Sequence, residues 1–390
     1  MKKSPVLAMR IWFAVLLPVT GFSILVSGCE VATEPDDELY ETHQKTLSVL
    51  TWNIQALFDG EEAGNEYEEY LSSSGWVEEK YLGRINAIAQ AFEKIETGLP
   101  DIIALEEVEN AGILTDIAEG PLKDQDFKWS FFASIPDSSL GLGVLSRFEI
   151  LKARSHAVYD SGEFTPRPVA EVEIAPEGKP LVLFICHWKS KLGGDDATES
   201  LRRSSARILL RRMREIWSVD PSMPVLIMGD LNENHDEFYR RYGEAISALL
   251  PDDPRAAYIS GFEGFGDSEN SDAVALPPEK IQADYLVLCK TKPPLPEYFP
   301  PEAICLYSPW GTELQNGSYY YKNNWETIDH FLLSAGFFDD SGWDFSSCRV
   351  LNIEPFANSR GYPNAYNPRN GAGLSDHLPL FLTLKFISEG

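Results

Sequence analysis

V-L-I-M-G-D-L-N, from Val225 to Asn232, is an apolar run that stops in an acid and an amide. Four consecutive apolar residues bounded by turn signals read as a strand buried on both faces. Asp230 and Asn232 then stand where that strand reaches its rim. The same pattern recurs along the chain. Leu47–Ile54 reads as a strand carrying Asn53 in T-W-N-I-Q, and Asp101–Val108 as one carrying Glu106 and Glu107 in A-L-E-E-V. Leu181–Cys186 runs into His187 in F-I-C-H-W-K-S-K, and Thr327–Leu333 holds Asp329 and His330. Asp376 and His377 precede a last strand, Leu378–Phe386. Acids, amides and histidines at the rim of a packed sheet are where catalytic groups collect, because the scaffold beneath them is rigid.

The rest of the chain supplies the frame. Gly141–Leu145, Val169–Ile174 and Asp284–Leu288 read as further strands. Ile85, Ile88, Ala89 and Phe92 have helical spacing within Arg84–Ile95, and Thr198–Trp217 and Asp236–Leu250 are also expected to be helical. Residues 251–280 read as a surface insertion, 292–301 as a Pro-rich stretch and 335–374 as loop. Many short strands, few helices and no clear βαβ alternation predict an α+β sandwich.

The 390 residues carry 33 Lys+Arg against 60 Asp+Glu, a formal net charge of −27, and 44% are hydrophobic. This is globular composition, which excludes collagen-like and disordered chains. Only one long apolar run occurs, so a polytopic membrane protein is excluded. That run, Ile11 to Val26, follows Lys2, Lys3 and Arg10 and ends in V-S-G-C at Cys29. A basic start, an apolar stretch and small residues before a cleavage point describe an export signal. This one resembles a bacterial lipoprotein signal, which implies cleavage before Cys29 and lipidation of Cys29. The expected organisation is a signal over 1–28, a lipidated tether over 29–46 and one domain over 47–390, held at the cell envelope by its lipid. Loss of residues 1–28 removes three positive charges and no acid, leaving −30. Such acidity opposes nonspecific phosphate binding. Cys186, Cys289, Cys305 and Cys348 remain; Cys289 with Cys305 is the candidate disulfide, and Cys186 reads as a buried thiol.

Taken together, T-W-N, E-E-V, F-I-C-H, G-D-L-N, I-D-H and S-D-H occur in an order that resembles the endonuclease/exonuclease/phosphatase superfamily. The resemblance covers Trp52 to His377. It implies a four-layer α/β/β/α sandwich of two mixed sheets flanked by helices, with the site at one end, and hydrolysis of phosphodiesters with Mg²⁺, or Mn²⁺ in its place. It further implies that Asn53, Glu107 and Asp376 serve the metal, and that Asp230 and Asn232 contact the attacked phosphate and its water. His377, paired with Asp329, would be the base or the phosphate-polarising group. His187 would donate to a phosphate oxygen or to the leaving group. His330, one residue from Asp329, falls on the opposite strand face and is expected to be structural. Two departures stand out: Glu106 where members of the superfamily commonly have Gln, and Leu231 where they often have Phe.

The phosphoester itself is less legible. His187 to Gly194, H-W-K-S-K-L-G-G, and Tyr319 to His330 resemble secreted bacterial nucleases, which implies a DNA or RNA substrate. Arg167, Lys189 and Lys191 are the expected phosphate contacts. Arg203, Arg207, Arg211 and Arg214 share one helical face, read either as a nucleic-acid track or as a face neutralised by acids. A sphingomyelinase-type lipid phosphodiesterase, with Tyr298-Phe299 as its membrane contact, a small-substrate phosphatase and a non-catalytic surface lipoprotein remain open. No protein partner is legible, and a monomer is expected.

Overall fold

The computed structural model describes residues 44–136, 138–160, 163–164, 167–242, 247–253, 256, 278–292 and 302–388. The signal segment, Cys29, most of the tether, most of the 251–280 insertion and Tyr298-Phe299 lie outside these residues. The first nine strands are β1 (Thr46–Leu57), β2 (Ile102–Val108), β3 (Trp129–Ala133), β4 (Gly141–Ser146), β5 (Ile150–His156), β6 (Tyr159–Asp160), β7 (Glu163–Phe164), β8 (Val169–Ile174) and β9 (Leu181–His187). They are followed by β10 (Val225–Asp230), β11 (Leu249–Pro251), β12 (Leu286–Cys289), β13 (Cys305–Tyr307), β14 (Tyr319–Tyr321), β15 (Asn324–Glu326), β16 (Asp329–Leu333), β17 (Gly342–Val350) and β18 (Leu380–Ile387). The helices are α1 (Glu78–Phe92), α2 (Ala111–Glu119), α3 (Asp195–Val219), α4 (Glu237–Arg240) and α5 (Pro278–Asp284).

Two mixed sheets carry the domain. One has the order β17-β18-β1-β2-β4-β3, the other β11-β12-β13-β16-β10-β9-β8-β5. Strand alternation explains their stacking. On β1, Leu47 and Val49 face the second sheet, meeting Ile185, Leu226, Met228 and Phe331. Leu50, Trp52 and Ile54 face the other way, under Ile85, Ile88 and Phe92 of α1 and Ile113 and Ile117 of α2. The far face of the second sheet, with Phe184 and Ile227, is covered by Leu209, Leu210 and Met213 of α3. The result is the α/β/β/α layering that the resemblance implies.

The same parity places the chemistry. Asn53 and Glu106 share the inward side of β1 and β2 with Val49 and Ala104. His187, Asp230 and Asp329 share the inward side of β9, β10 and β16 with Ile185, Met228 and Phe331. Asp230 is in register with both His187 and Asp329. The inter-sheet core therefore ends in polar groups at one level. His330 has the opposite parity and is buried, its Nε2 2.8 Å from the Glu233 carbonyl.

Several expectations need correction. Asp236–Leu250 is not one helix: α4 is four residues long, and Leu249 and Leu250 pair with β12 as β11. The 335–374 stretch contains β17, hidden in sequence because a bulge between Phe345 and Ser347 breaks its alternation. β5 escaped notice as an exposed edge strand of mixed polarity. The arginines of α3 pair with neighbouring acids and carbonyls, as the neutralised-face reading expects. Arg203 meets Glu199 and Tyr285, Arg207 meets Asp284, Arg211 meets Glu215 and Arg214 meets the Gln282 carbonyl. Cys289 and Cys305 are joined as a disulfide, with Cα atoms 6.1 Å apart, and Cys186 is a buried free thiol. Among the described residues no helix is long and apolar enough to cross a membrane.

Candidate active site

Asp230 lies at the centre. Its Oδ2 accepts from Asn53 Nδ2 at 3.0 Å and lies 3.5 Å from His187 Nε2 and 4.0 Å from His377 Nε2. Its Oδ1 accepts the backbone N–H of Asn232 at 2.9 Å, where the chain turns through φ 51°. Asn232 Nδ2 donates to the Trp188 carbonyl at 3.1 Å, tying the ends of β9 and β10 together.

Glu107 arrives by a different route. On a regular β2 it would point away from Glu106, towards the helices. A bulge between Glu106 and Val108, with φ 66° at Glu107, turns it back into the cleft. β1 makes a matching irregularity at Gln55 and Ala56, with φ 54° and 50°. Positive φ at non-glycine residues costs free energy and persists only where neighbours enforce it. Here Ala56 N–H donates to Glu107 Oε2 at 2.7 Å, and Asn53 Nδ2 donates to Glu107 Oε1 at 3.3 Å. Beneath the turn, the buried Arg84 guanidinium donates to the carbonyls of Ile54, Gln55 and Ala56 at 2.6, 2.7 and 2.8 Å, and stacks over the Tyr366 ring. Arg84→Met should strand these carbonyls and cost about 3 kcal/mol, at about 1 kcal/mol or more per orphaned group. Urea unfolding checks this; unchanged stability would mean that the turn holds itself.

His377 is fixed on every side. Its Nδ1 lies 2.8 Å from Asp329 Oδ2, which also accepts from Ser318 Oγ at 2.5 Å. Its backbone N–H donates to Ser375 Oγ at 3.0 Å, and its carbonyl accepts from Trp52 Nε1 at 2.9 Å. Ser375 Oγ in turn donates to the Asn53 carbonyl at 2.6 Å, closing the first sheet onto the S-D-H turn. The Tyr319 ring stacks on the imidazole at 4.5 Å.

The electrostatics follow from crowding acids out of water. Burial raises Asp230 to about 7, with Asp329 adding to the rise and His377 and Arg167 opposing it. Burial and the Glu107 charge raise Asp376. Burial, helped by Arg167 and His377, holds His187 well below the usual imidazole range, so it is neutral. Burial opposes charge on His377, yet Asp329, Asp376 and Asp230 together raise it well above that range. Glu106 lies between the sheets, bonded to Thr51 Oγ1 at 2.8 Å, and burial raises it well above the ordinary carboxylate range. It is a neutral inter-sheet group that feels the charges of Asp329, Asp230 and His377.

Oxygen donors fit a hard divalent cation. Asp230, Asp329 and His377 offer ligand atoms within 4.8 Å of one another. However, His377 Nδ1 and Asp329 Oδ2 are already bonded to each other. Glu107, one-fifth exposed, and Asp376 beside it are the carboxylates left to face a cation. Asn53 turns its nitrogen towards Glu107 and Asp230, while its oxygen accepts Gln55 N–H at 3.1 Å. It therefore spaces the acids, while its oxygen keeps a second lone pair that a cation could use.

The expected phosphate contacts divide. Arg167 NH1 donates to the Trp188 carbonyl and lines a cleft of about 200 Å³ with His187, Tyr67, Leu140 and Gly141. Lys189 Nζ bonds its own loop at Ser190 and Leu192. Lys191 is committed to Glu237, away from that cleft. Sequence reading gave no role to Ser318, Ser375 and Arg84, and took Tyr319 only as part of the nuclease-like segment. Ser375, inside S-D-H, was the one with a local signal.

The endonuclease/exonuclease/phosphatase family profile matches residues 48–248, more than half of the chain. The chain belongs to this family, whose members are hydrolases acting on phosphoester bonds and generally use a divalent metal. Among solved structures, truncated Caenorhabditis elegans TDP2 aligns at 13% identity with a TM-score of 0.47, over 87% of this chain and 97% of that one. A family protein from Leptotrichia buccalis aligns at 13% identity and 0.48, over 87% and 100%. D. rerio TDP2 complexed with single strand DNA product aligns at 12% identity and 0.47, over 87% and 99%. No curated protein matches the sequence.

Proposed function

We propose that this chain is a Mg²⁺-dependent phosphodiesterase that cleaves DNA or RNA outside the cytoplasm, tethered to the bacterial envelope through a lipid on Cys29. The observation that carries the chemistry is the His377–Asp329 pair facing Asp230 across 4.0 Å, with a neutral His187 on the other side of Asp230. His377, kept protonated by three acids, polarises a phosphate oxygen. Asp230, raised to about 7, orients the attacking water and takes its proton near neutral pH. His187 and Arg167 flank the leaving-group side of the cleft. Glu107 and Asp376 would hold the Mg²⁺, which would neutralise phosphate charge when bound. The nucleic-acid assignment rests on the H-W-K-S-K segment and the tyrosine-rich Tyr319–His330 segment, and the envelope assignment on the V-S-G-C signal.

The test uses the full chain in mild detergent with plasmid DNA, single-stranded RNA and sphingomyelin vesicles, in Mg²⁺ or EDTA. Nucleic-acid cleavage that EDTA abolishes is the expected result. Sphingomyelin cleavage with intact nucleic acids would move the chain to the lipid phosphodiesterases. No cleavage of any of the three would overturn the proposal.

A further inference from the structure

The β14–β15 hairpin has two unlike faces. Its register pairs Tyr320 with Trp325 and Tyr321 with Asn324. Tyr320 lies on one face, half-buried, packing 5.2 Å from Trp325 of the same hairpin and 4.3 Å from Tyr362. A two-stranded hairpin is marginal alone, and this aromatic cluster anchors it. Tyr319 and Tyr321 alternate to the other face. The Tyr319 ring stacks on His377 at 4.5 Å and 27°, and the Tyr321 ring continues the row at 6.1 Å and 18°. An imidazole and two phenols thus run in near-parallel planes from the reacting centre to solvent, where Tyr321 is 51% exposed.

We propose that Tyr321, backed by Tyr319, is a stacking subsite for the nucleobase beside the scissile phosphate, and that the substrate is single-stranded there. This deepens the nuclease reading and rests on it. A flat ring is what near-parallel ring planes accept, and base–aromatic stacking tolerates any base because each has a π-face. A base in a duplex has both faces occupied by its neighbours, so only an unpaired or splayed base reaches the platform. The hairpin tip supports a nucleic acid over a lipid. It is Lys322-Asn323, both at positive φ, 47° and 66°, in a tight two-residue turn. A membrane-dipping hairpin needs an apolar tip. Here the tip carries a cation, Lys322 Nζ, 5.0 Å over the Tyr321 ring, suitably placed for the next backbone phosphate.

The test is fluorescence anisotropy in EDTA with the full chain, using a single-stranded oligothymidylate and an abasic oligomer of the same length. The wild type should prefer the base-bearing strand. Tyr321→Ala should lose about 5- to 150-fold in affinity for it, the range for one stacked base, and little for the abasic strand. Tyr321→Trp should restore the preference. Equal binding of both oligomers by the wild type, or an unchanged preference in Tyr321→Ala, would overturn the subsite. His377-dependent cleavage of nucleic acid by the same preparation once Mg²⁺ replaces EDTA would then leave the nuclease reading standing. Failure of the wild type to cleave nucleic acid would sink that reading itself. Loss of sphingomyelin-vesicle binding in Tyr321→Ala, with oligomer binding unchanged, would assign the platform to lipid and overturn the proposal.

Discussion

His377→Gln is expected to lower kcat for phosphodiester cleavage by about 10³-fold or more. General acid–base groups contribute about 10²–10⁴-fold, and a preorganised donor at developing phosphate charge adds about 10²–10³-fold. Glutamine retains an N–H for Asp329, so the buried carboxylate keeps a donor besides Ser318. It cannot carry a proton. A residue that only packed the S-D-H turn would give the opposite outcome: wild-type kcat with a lowered Tm. The stability prediction has a sign. The folded pKa of His377 is raised, so the pair's contribution is fully present below the unfolded histidine value of about 6.5. It fades as pH rises through the raised folded value. The Tm gap between wild type and His377→Gln should therefore be wider at pH 6 than at pH 9.5. A kcat within tenfold of wild type would remove His377 from the chemistry.

The site's parts were legible to different degrees, for physical reasons. His187 and Asp230 are the last residues of regular strands and Asp329 the first of another, so an apolar run bounded by a polar residue revealed both their position and their shared inward parity. Glu106 follows the same rule and lies inside the core, where it is neutral. Glu107 breaks the rule. Strand alternation predicts that it faces the helices, and only the paired irregularities at Glu107 and at Gln55-Ala56 bring it into the cleft. Such bulges depend on Arg84 beneath the turn, about thirty residues away in sequence, which no local pattern announces. The α3 arginines show the reverse failure. Their spacing makes a face, and spacing does not say whether solvent or α5 lies opposite. Asp284 and Gln282 of α5, and Tyr285 just beyond it, decide it. β17 and β5 were lost to a bulge and to edge exposure, since both blur the period-two signal. Ser318 was missed because a single hydroxyl has no signature until its partner is placed.

Asp230→Asn is expected to abolish most activity while raising the stability of the metal-free protein. The side chain keeps its shape, and its oxygen can still accept from Asn232 N–H. Its amide group then meets Asn53 Nδ2, an unfavourable donor–donor contact costing about 1 kcal/mol. Against this stands the charge. Asp230 is buried among acids, and its folded value of about 7 exceeds the ordinary carboxylate value of about 3.8. The native state therefore binds more protons than the unfolded state across that window, and wild-type stability falls as pH climbs through it. Above about pH 7 the whole penalty is present; below about pH 4 it is gone. Asp230→Asn removes it. In EDTA, the variant's Tm should exceed that of the wild type at pH 8 and not at pH 4. Mg²⁺ should raise the wild-type Tm by binding only the native state. The same addition should do less for the variant, whose site has lost one of its converging negative charges. Activity should drop by about 10²–10³-fold, the usual cost of removing one preorganised polar group from a reacting centre. Stability lower than wild type at pH 8, with activity lost in proportion to unfolding, would make Asp230 a structural turn residue and would dissolve the assignment of Asp230 as the group that orients the attacking water.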